Sequence, residues 1–150
     1  MRVRNGLNGW LLLWACLLLP FAAHAAEGAH LCAAAVQCSE QGKNTDNPKI
    51  DPALEHYSKQ LKGLGFGQYT QLGAGKSAVP AVGASSELPV GDYTLVLQTL
   101  KVEADGWSLN IVVKKGKEEI CKNPMKVKPG VPALIGLDKP TLYVILRMDK

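Results

Sequence analysis

Cysteine, histidine and aromatic residues are scarce in this chain: four, three and 6% of 150 residues. The cysteines stand at 16, 32, 38 and 121, so there is no Cys-x-x-Cys pair for thiol exchange and no Cys-x-x-Cys-His for haem attachment. Neither Gly-x-Ser-x-Gly nor His-Glu-x-x-His occurs, which removes two common signatures of hydrolases. After residue 26 the only histidines are His30 and His56, and His56, between Glu55 and Tyr57, reads as an exposed or capping residue. Glu118 and Glu119 are adjacent; on a strand they point to opposite faces and cannot flank one glycosidic bond. Gly73-Ala74-Gly75-Lys76-Ser77 has the look of a phosphate loop, but Thr70 stands where that loop needs its first glycine, so the segment reads as a flexible loop. No catalytic residue and no cofactor are assigned, and an enzyme is not expected.

An apolar run long enough to cross a bilayer is also missing. Trp10 to Phe21 is interrupted only by Pro20 and is shorter than the roughly 20 residues a span requires. Arg2 and Arg4 precede it and Ala23-His24-Ala25 follows, the order of a secretory signal peptide over residues 1–26. The alternative is a lipoprotein box, Leu13-Trp14-Ala15-Cys16, acylated at Cys16; Trp14 is bulky for such a site. Signal removal leaves about 125 residues, enough for one domain with one modest core and no stable membrane span. The expected location is the periplasm or the exterior.

Charge of either sign is not in excess. The full chain carries +4; without Arg2 and Arg4, fifteen basic residues face thirteen acidic ones, a net +2. One local concentration stands out: Lys114, Lys115, Lys117, Lys122, Lys126 and Lys128, against Glu118 and Glu119. It reads either as a solvated strand face or as a patch for an anionic partner such as phospholipid headgroups, acidic glycan or an envelope protein. The aromatic residues are not interleaved with these lysines, which argues against nucleic acid.

Three cysteines remain after the signal, so one is left over in any disulfide scheme. Cys32 and Cys38 are close enough in sequence to close a small loop; Cys121 is then unpaired, or is itself the partner of one of them. His30, Cys32 and Cys38 also raise a metal site with His56 or Cys121 as a fourth ligand, but the paired short spacings of structural zinc are absent, and no metal ligand is assigned.

Residues 27–49 mix small apolar residues with Ser, Asn, Gly and Pro and read as a flexible leader carrying Cys32 and Cys38. Residues 50–150 form the domain. Asp51 as N-cap, Pro52 and Glu55 start one short helix whose apolar face is Ala53, Leu54, Tyr57, Leu61 and Leu64, stopped by Gly63 and Gly65. Extended segments are expected at 67–72, 77–82, 92–104, 107–113, 117–122, 131–137 and 141–148, with a hairpin at Asp105-Gly106 and a turn at Lys115-Gly116. The fold class is mainly β: a compact antiparallel sandwich or partly closed barrel with one short helix.

Ile50-Asp51-Pro52-Ala53-Leu54, Tyr69-Thr70, Leu88-Pro89-Val90-Gly91, Trp107 to Val113 and Val131-Pro132-Ala133-Leu134-Ile135-Gly136 with Leu142 to Leu146 occur in an order that resembles a group of small exported bacterial proteins of uncharacterised function. The resemblance implies an exported, β-rich domain and carries no catalytic residue to any position here. Where that group looks to have paired glycines near its end, this chain has Gly136 followed by Leu137-Asp138-Lys139-Pro140. The expected function is a non-enzymatic interaction module that binds an envelope component. The alternatives are a small-ligand or metal carrier and an unrecognised hydrolase.

Overall fold

The computed structural model describes residues 28–149; the proposed signal segment with Cys16 lies outside the described residues. The first described strand, β1 (His30–Ser39), is followed by β2 (Lys49–Ile50), a 3-10 helix (Pro52–Tyr57) continuous with α1 (Ser58–Lys62), and β3 (Gln68–Ala78). Then come β4 (Ser85–Val90), β5 (Tyr93–Glu103), β6 (Gly106–Lys115), β7 (Glu118–Val127), β8 (Ala133–Gly136) and β9 (Leu142–Asp149). They make two mostly antiparallel sheets, one in the order β2-β3-β1-β9-β8 and the other β4-β5-β6-β7; only the β2–β3 pair is parallel, and neither sheet closes into a barrel.

Residues 30–39 correct the reading of 27–49 as a flexible leader. They form the middle strand of the five-stranded sheet, antiparallel to both β3 and β9. Leu31, Ala33 and Ala35 face the four-stranded sheet, within a core that includes Leu88, Leu95, Leu97, Leu109, Ile111, Val144 and Leu146. Ala34, Val36 and Cys38 face the other way, under Leu54, Tyr57, Leu61, Phe66 and Tyr69. A strand covered on both faces shows no polar alternation, and three successive alanines carry little β preference of their own.

The helix forms where its caps place it. Asp51 accepts from the Ala53 N–H at 3.1 Å through one carboxylate oxygen and from the Gln71 N–H of β3 at 3.2 Å through the other, so one residue starts the helix and pins it to the sheet. Below it the buried Tyr69 hydroxyl donates to the Leu61 carbonyl and accepts from the Phe66 N–H at 3.0 Å, satisfying the backbone groups freed where the helix ends.

Gly73–Ser77 lies inside β3, which corrects the flexible-loop reading; the strand runs from the expected segment at 67–72 on to Ala78, while most of the expected segment at 77–82 is not strand. A Cβ on Gly73 would fall within 3.0 Å of the Gly91 backbone, and one on Gly75 within 3.0 Å of the Pro89 carbonyl. These glycines let β3 of one sheet and β4 of the other approach closely along one side of the molecule. The 105–106 hairpin is present, with Glu103 paired to Gly106, and Gly116, at φ +62°, turns β6 into β7.

Tyr69→Phe leaves the Phe66 N–H without its buried acceptor and removes one donor from the Leu61 carbonyl, which keeps the Leu64 N–H at 3.0 Å, and is expected to lower unfolding free energy by about 1–3 kcal/mol in urea titrations. Gly75→Val is expected to cost about 1–3 kcal/mol by overpacking against β4, measured the same way.

Candidate functional site

The cysteines come first because their chemistry is the most specific in the chain. Cys32 and Cys38 lie six residues apart on one face of β1, roughly 20 Å along an extended strand, far beyond the span of about 7 Å that a disulfide tolerates. Cys121 belongs to β7 in the other sheet, paired with Val113 of β6. All three are free thiols, which corrects the expected bridge, and Cys121 is neither the remainder of a pair nor an alternative partner.

Cys32 lies in a charged cluster. Its thiol donates to Asp149 Oδ2 at 3.5 Å, and Asp149 also accepts from Arg147, Nε to Oδ1 at 2.8 Å and Nη2 to Oδ2 at 3.2 Å. Arg147 stands opposite Cys32 on β9 and holds its guanidinium 5.8 Å from the centre of the Tyr57 ring; Lys76 stands opposite Cys32 on β3. Burial, and then the Asp149 carboxylate, push the Cys32 thiol above its ordinary range, against the opposing pull of Lys76 and Arg147. Burial alone pushes Cys38 up to about 11, and burial is also the main cause of a raised Cys121. Thiols held protonated in this way are poor nucleophiles.

Beside Cys32 a cleft of about 260 Å³ opens between the helix and the sheet, lined by Cys32, Ala34, His56, Tyr57, Gln71 and Ala74. His56 is exposed and stacks on its neighbour Tyr57, ring centres 3.9 Å apart. His30 lies on β1 opposite Asp149, while Cys38 is at the far end of the strand beneath the helix. The structure therefore does not bring His30, Cys32 and Cys38 together, and no group of three His, Cys, Asp or Glu among the described residues is placed to hold a metal ion.

The six lysines divide. Lys126 forms ion pairs with Glu103 at 2.9 Å and Asp105 at 2.6 Å, and Lys128 with Asp105 at 3.8 Å, all at the β5–β6 turn. Hydrogen bonds from Lys126 hold both carboxyls below their usual range. Lys114, Lys115 and Lys117 lie at the opposite end of the β6–β7 hairpin, with Lys122 between the two groups, and Lys115 sits 5.8 Å from the Tyr93 ring centre. The patch is thus two groups separated by roughly 25 Å of strand, one of them neutralised. Glu118 and Glu119 are both exposed, opposite Lys115 and Lys114.

Sequence reading passed over the most distinctive surface. β3 and β4 close one side of the inter-sheet core, leaving β7 and β8 as the edges of the other. The apolar side chains packed on that core but only partly covered are Ile120, Cys121 and Met125 of β7, and Ala133 and Leu137 at β8. β7 is the edge of its own sheet, while β8, four residues long, pairs with β9 in the other, so no described strand pairs with the outer side of β7. Pro124 within an otherwise strand-like run is the signal that could have marked β7 as an edge. Among the described residues no helix is long and apolar enough to cross a membrane. No family model, curated protein or solved structure matches the chain.

Intact mass after alkylation under denaturing, non-reducing conditions is expected to count Cys32, Cys38 and Cys121 as free. In the folded protein Cys38 is expected to label last, since it is 3% exposed. Its folded pKa stands above the unfolded value near 9, so the unfolded chain loses its proton first and stability falls as pH rises between about 9 and 11. Thermal melts of Cys38→Ala are expected to fall less steeply across that interval.

Proposed function

We propose that this protein is an exported, non-enzymatic interaction module of the bacterial envelope that takes an extended segment of a partner protein along the free edge of β7. The two layers are read as a β-sandwich open on its β7–β8 side. The observation that carries the reading is the run of half-covered apolar residues, Ile120, Cys121 and Met125, along a ten-residue edge strand. A strand added there satisfies outward backbone groups of β7 and covers those side chains at once. Pro124 offers no N–H to a ladder, so pairing favours the Glu118–Lys122 half, beside Lys114, Lys115 and Lys117. That half suits a partner segment carrying acidic residues. Export rests on the signal-like order of residues 1–26, and the bacterial setting on the resemblance of residues 50–148 to small exported proteins.

A second reading, a small-ligand carrier, is favoured by the cleft at Cys32, His56 and Tyr57. It differs from the first in using the opposite sheet.

Crosslinking in cells followed by affinity capture is expected to recover one envelope protein in stoichiometric amount. Lys115→Glu with Lys117→Glu and Lys122→Glu is expected to reduce capture at least about tenfold through charge reversal. Capture unchanged by these substitutions rejects the β7 surface, and no captured partner rejects the module in favour of the carrier.

A further inference from the structure

The described residues expose five large apolar side chains, and four of them, Val82, Leu100, Val102 and Val131, lie at one end of the two sheets; Leu72 is mid-strand in β3, beside the Gly91 turn. The register fixes that end. His30 begins β1 opposite Ala78 at the end of β3 and Asp149 at the end of β9, and Pro129 bridges to Met148. In the facing sheet β4 begins, β5 turns into β6 and β7 ends at this same rim, where Val102 pairs with Trp107 and Trp107 with Val127.

Local structure holds two of these side chains outward. Thr99 is fully buried; its hydroxyl donates to the Pro80 carbonyl at 2.6 Å, and its own carbonyl accepts from the Gly83 N–H at 2.9 Å. This clamp fastens the loop carrying Val82 against β5, with Gly83 at φ +82° completing the turn. Immediately afterwards a bulge between Thr99 and Lys101 sets Leu100 into solvent, 49% exposed. A buried threonine, a positive-φ glycine and a bulge serve to present aliphatic groups to water, which a solvated loop does not require.

Two further features of the rim say what meets it. Lys101, Lys126 and Lys128 stand there against Glu103 and Asp105, one positive charge in excess, with stems long enough to reach past the aliphatic groups. The described chain also enters the domain at this rim, where the Ala29 carbonyl accepts from the Val79 N–H at 3.1 Å. We propose that this rim rests on an anionic phospholipid surface, with Val82, Leu100, Val102 and Val131 entering the interfacial layer and the lysines meeting headgroup phosphates. The rim goes beyond the strand-addition reading and shares none of its residues, so either can fail alone.

The test is flotation of the exported protein, its N-terminus fixed by intact mass, with vesicles of phosphatidylglycerol and phosphatidylethanolamine or of phosphatidylcholine alone. Binding is expected to the anionic vesicles and to weaken with added salt. Val82→Ser with Leu100→Ser is expected to reduce partitioning at least about tenfold. Leu72→Ser, mid-strand in β3 and away from the rim, is expected to leave it unchanged, and circular dichroism melts verify that each variant is folded. Absence of wild-type binding, or equal binding by the folded double variant, overturns the proposal. A wild-type dimer that the double variant separates, with no binding to vesicles, also overturns it and assigns the rim to a second copy of the chain.

Discussion

Covering β1 on both faces is the constraint on which the rest of the molecule depends. β3 and β9 pair with β1 and not with each other, so the five-stranded sheet has no continuity without it. Its inward residues complete the core shared by the two sheets, and its outward residues complete the smaller core beneath the helix. Alanines at 33, 34 and 35 keep both layers close to the strand backbone; larger side chains there would push one of them away. The helix is only five α-helical residues after a 3-10 segment, too short to persist alone, and it persists because Leu54, Tyr57 and Leu61 bury against β1 and β3.

Legibility in the sequence followed covalent and local chemistry. Asp51, Pro52 and the spacing of Leu54, Tyr57 and Leu61 marked the helix because capping and amphipathicity are local. The β5–β6 hairpin and the alternation of Leu142, Val144, Leu146 and Met148 were readable for the same reason, since each strand has one apolar face on the inter-sheet core. β1 was not, because double burial erases the alternation that marks a strand. Nor was the run through Gly73 and Gly75: glycines required for close contact with β4 resemble, in sequence, glycines required for a loop. Leu100, at the bulge after Thr99, and Val102, near the end of β5, are exposed, and a bulge depends on pairing that one strand does not reveal.

The candidate sites were less legible because they arise from relations between distant segments. Cys32 and Cys38 look adjacent when counted along the chain and are far apart once the chain is extended. The lysines look like one cluster from 114 to 128, yet a hairpin carries its ends apart and Glu103 with Asp105 claims two of them. The half-covered residues of β7 become visible only once the fold places β7 at the edge of its sheet, with β8 paired to β9 in the other.

Asymmetry of packing ties these observations to function. On the β3–β4 side, glycines bring the backbones of the two sheets together and leave no room for a guest. On the β7–β8 side, Ile120, Met125 and Leu137 keep part of their surface in water, a standing free-energy gradient toward any extended chain that covers them. The buried thiols follow the opposite logic: burial holds each protonated, so the residues with the most reactive side chains are those least disposed to react. On the proposed reading, incomplete burial at β7 therefore carries more functional weight than the cysteines, since a partner segment would gain from covering apolar surface and would donate the backbone groups that an edge strand lacks.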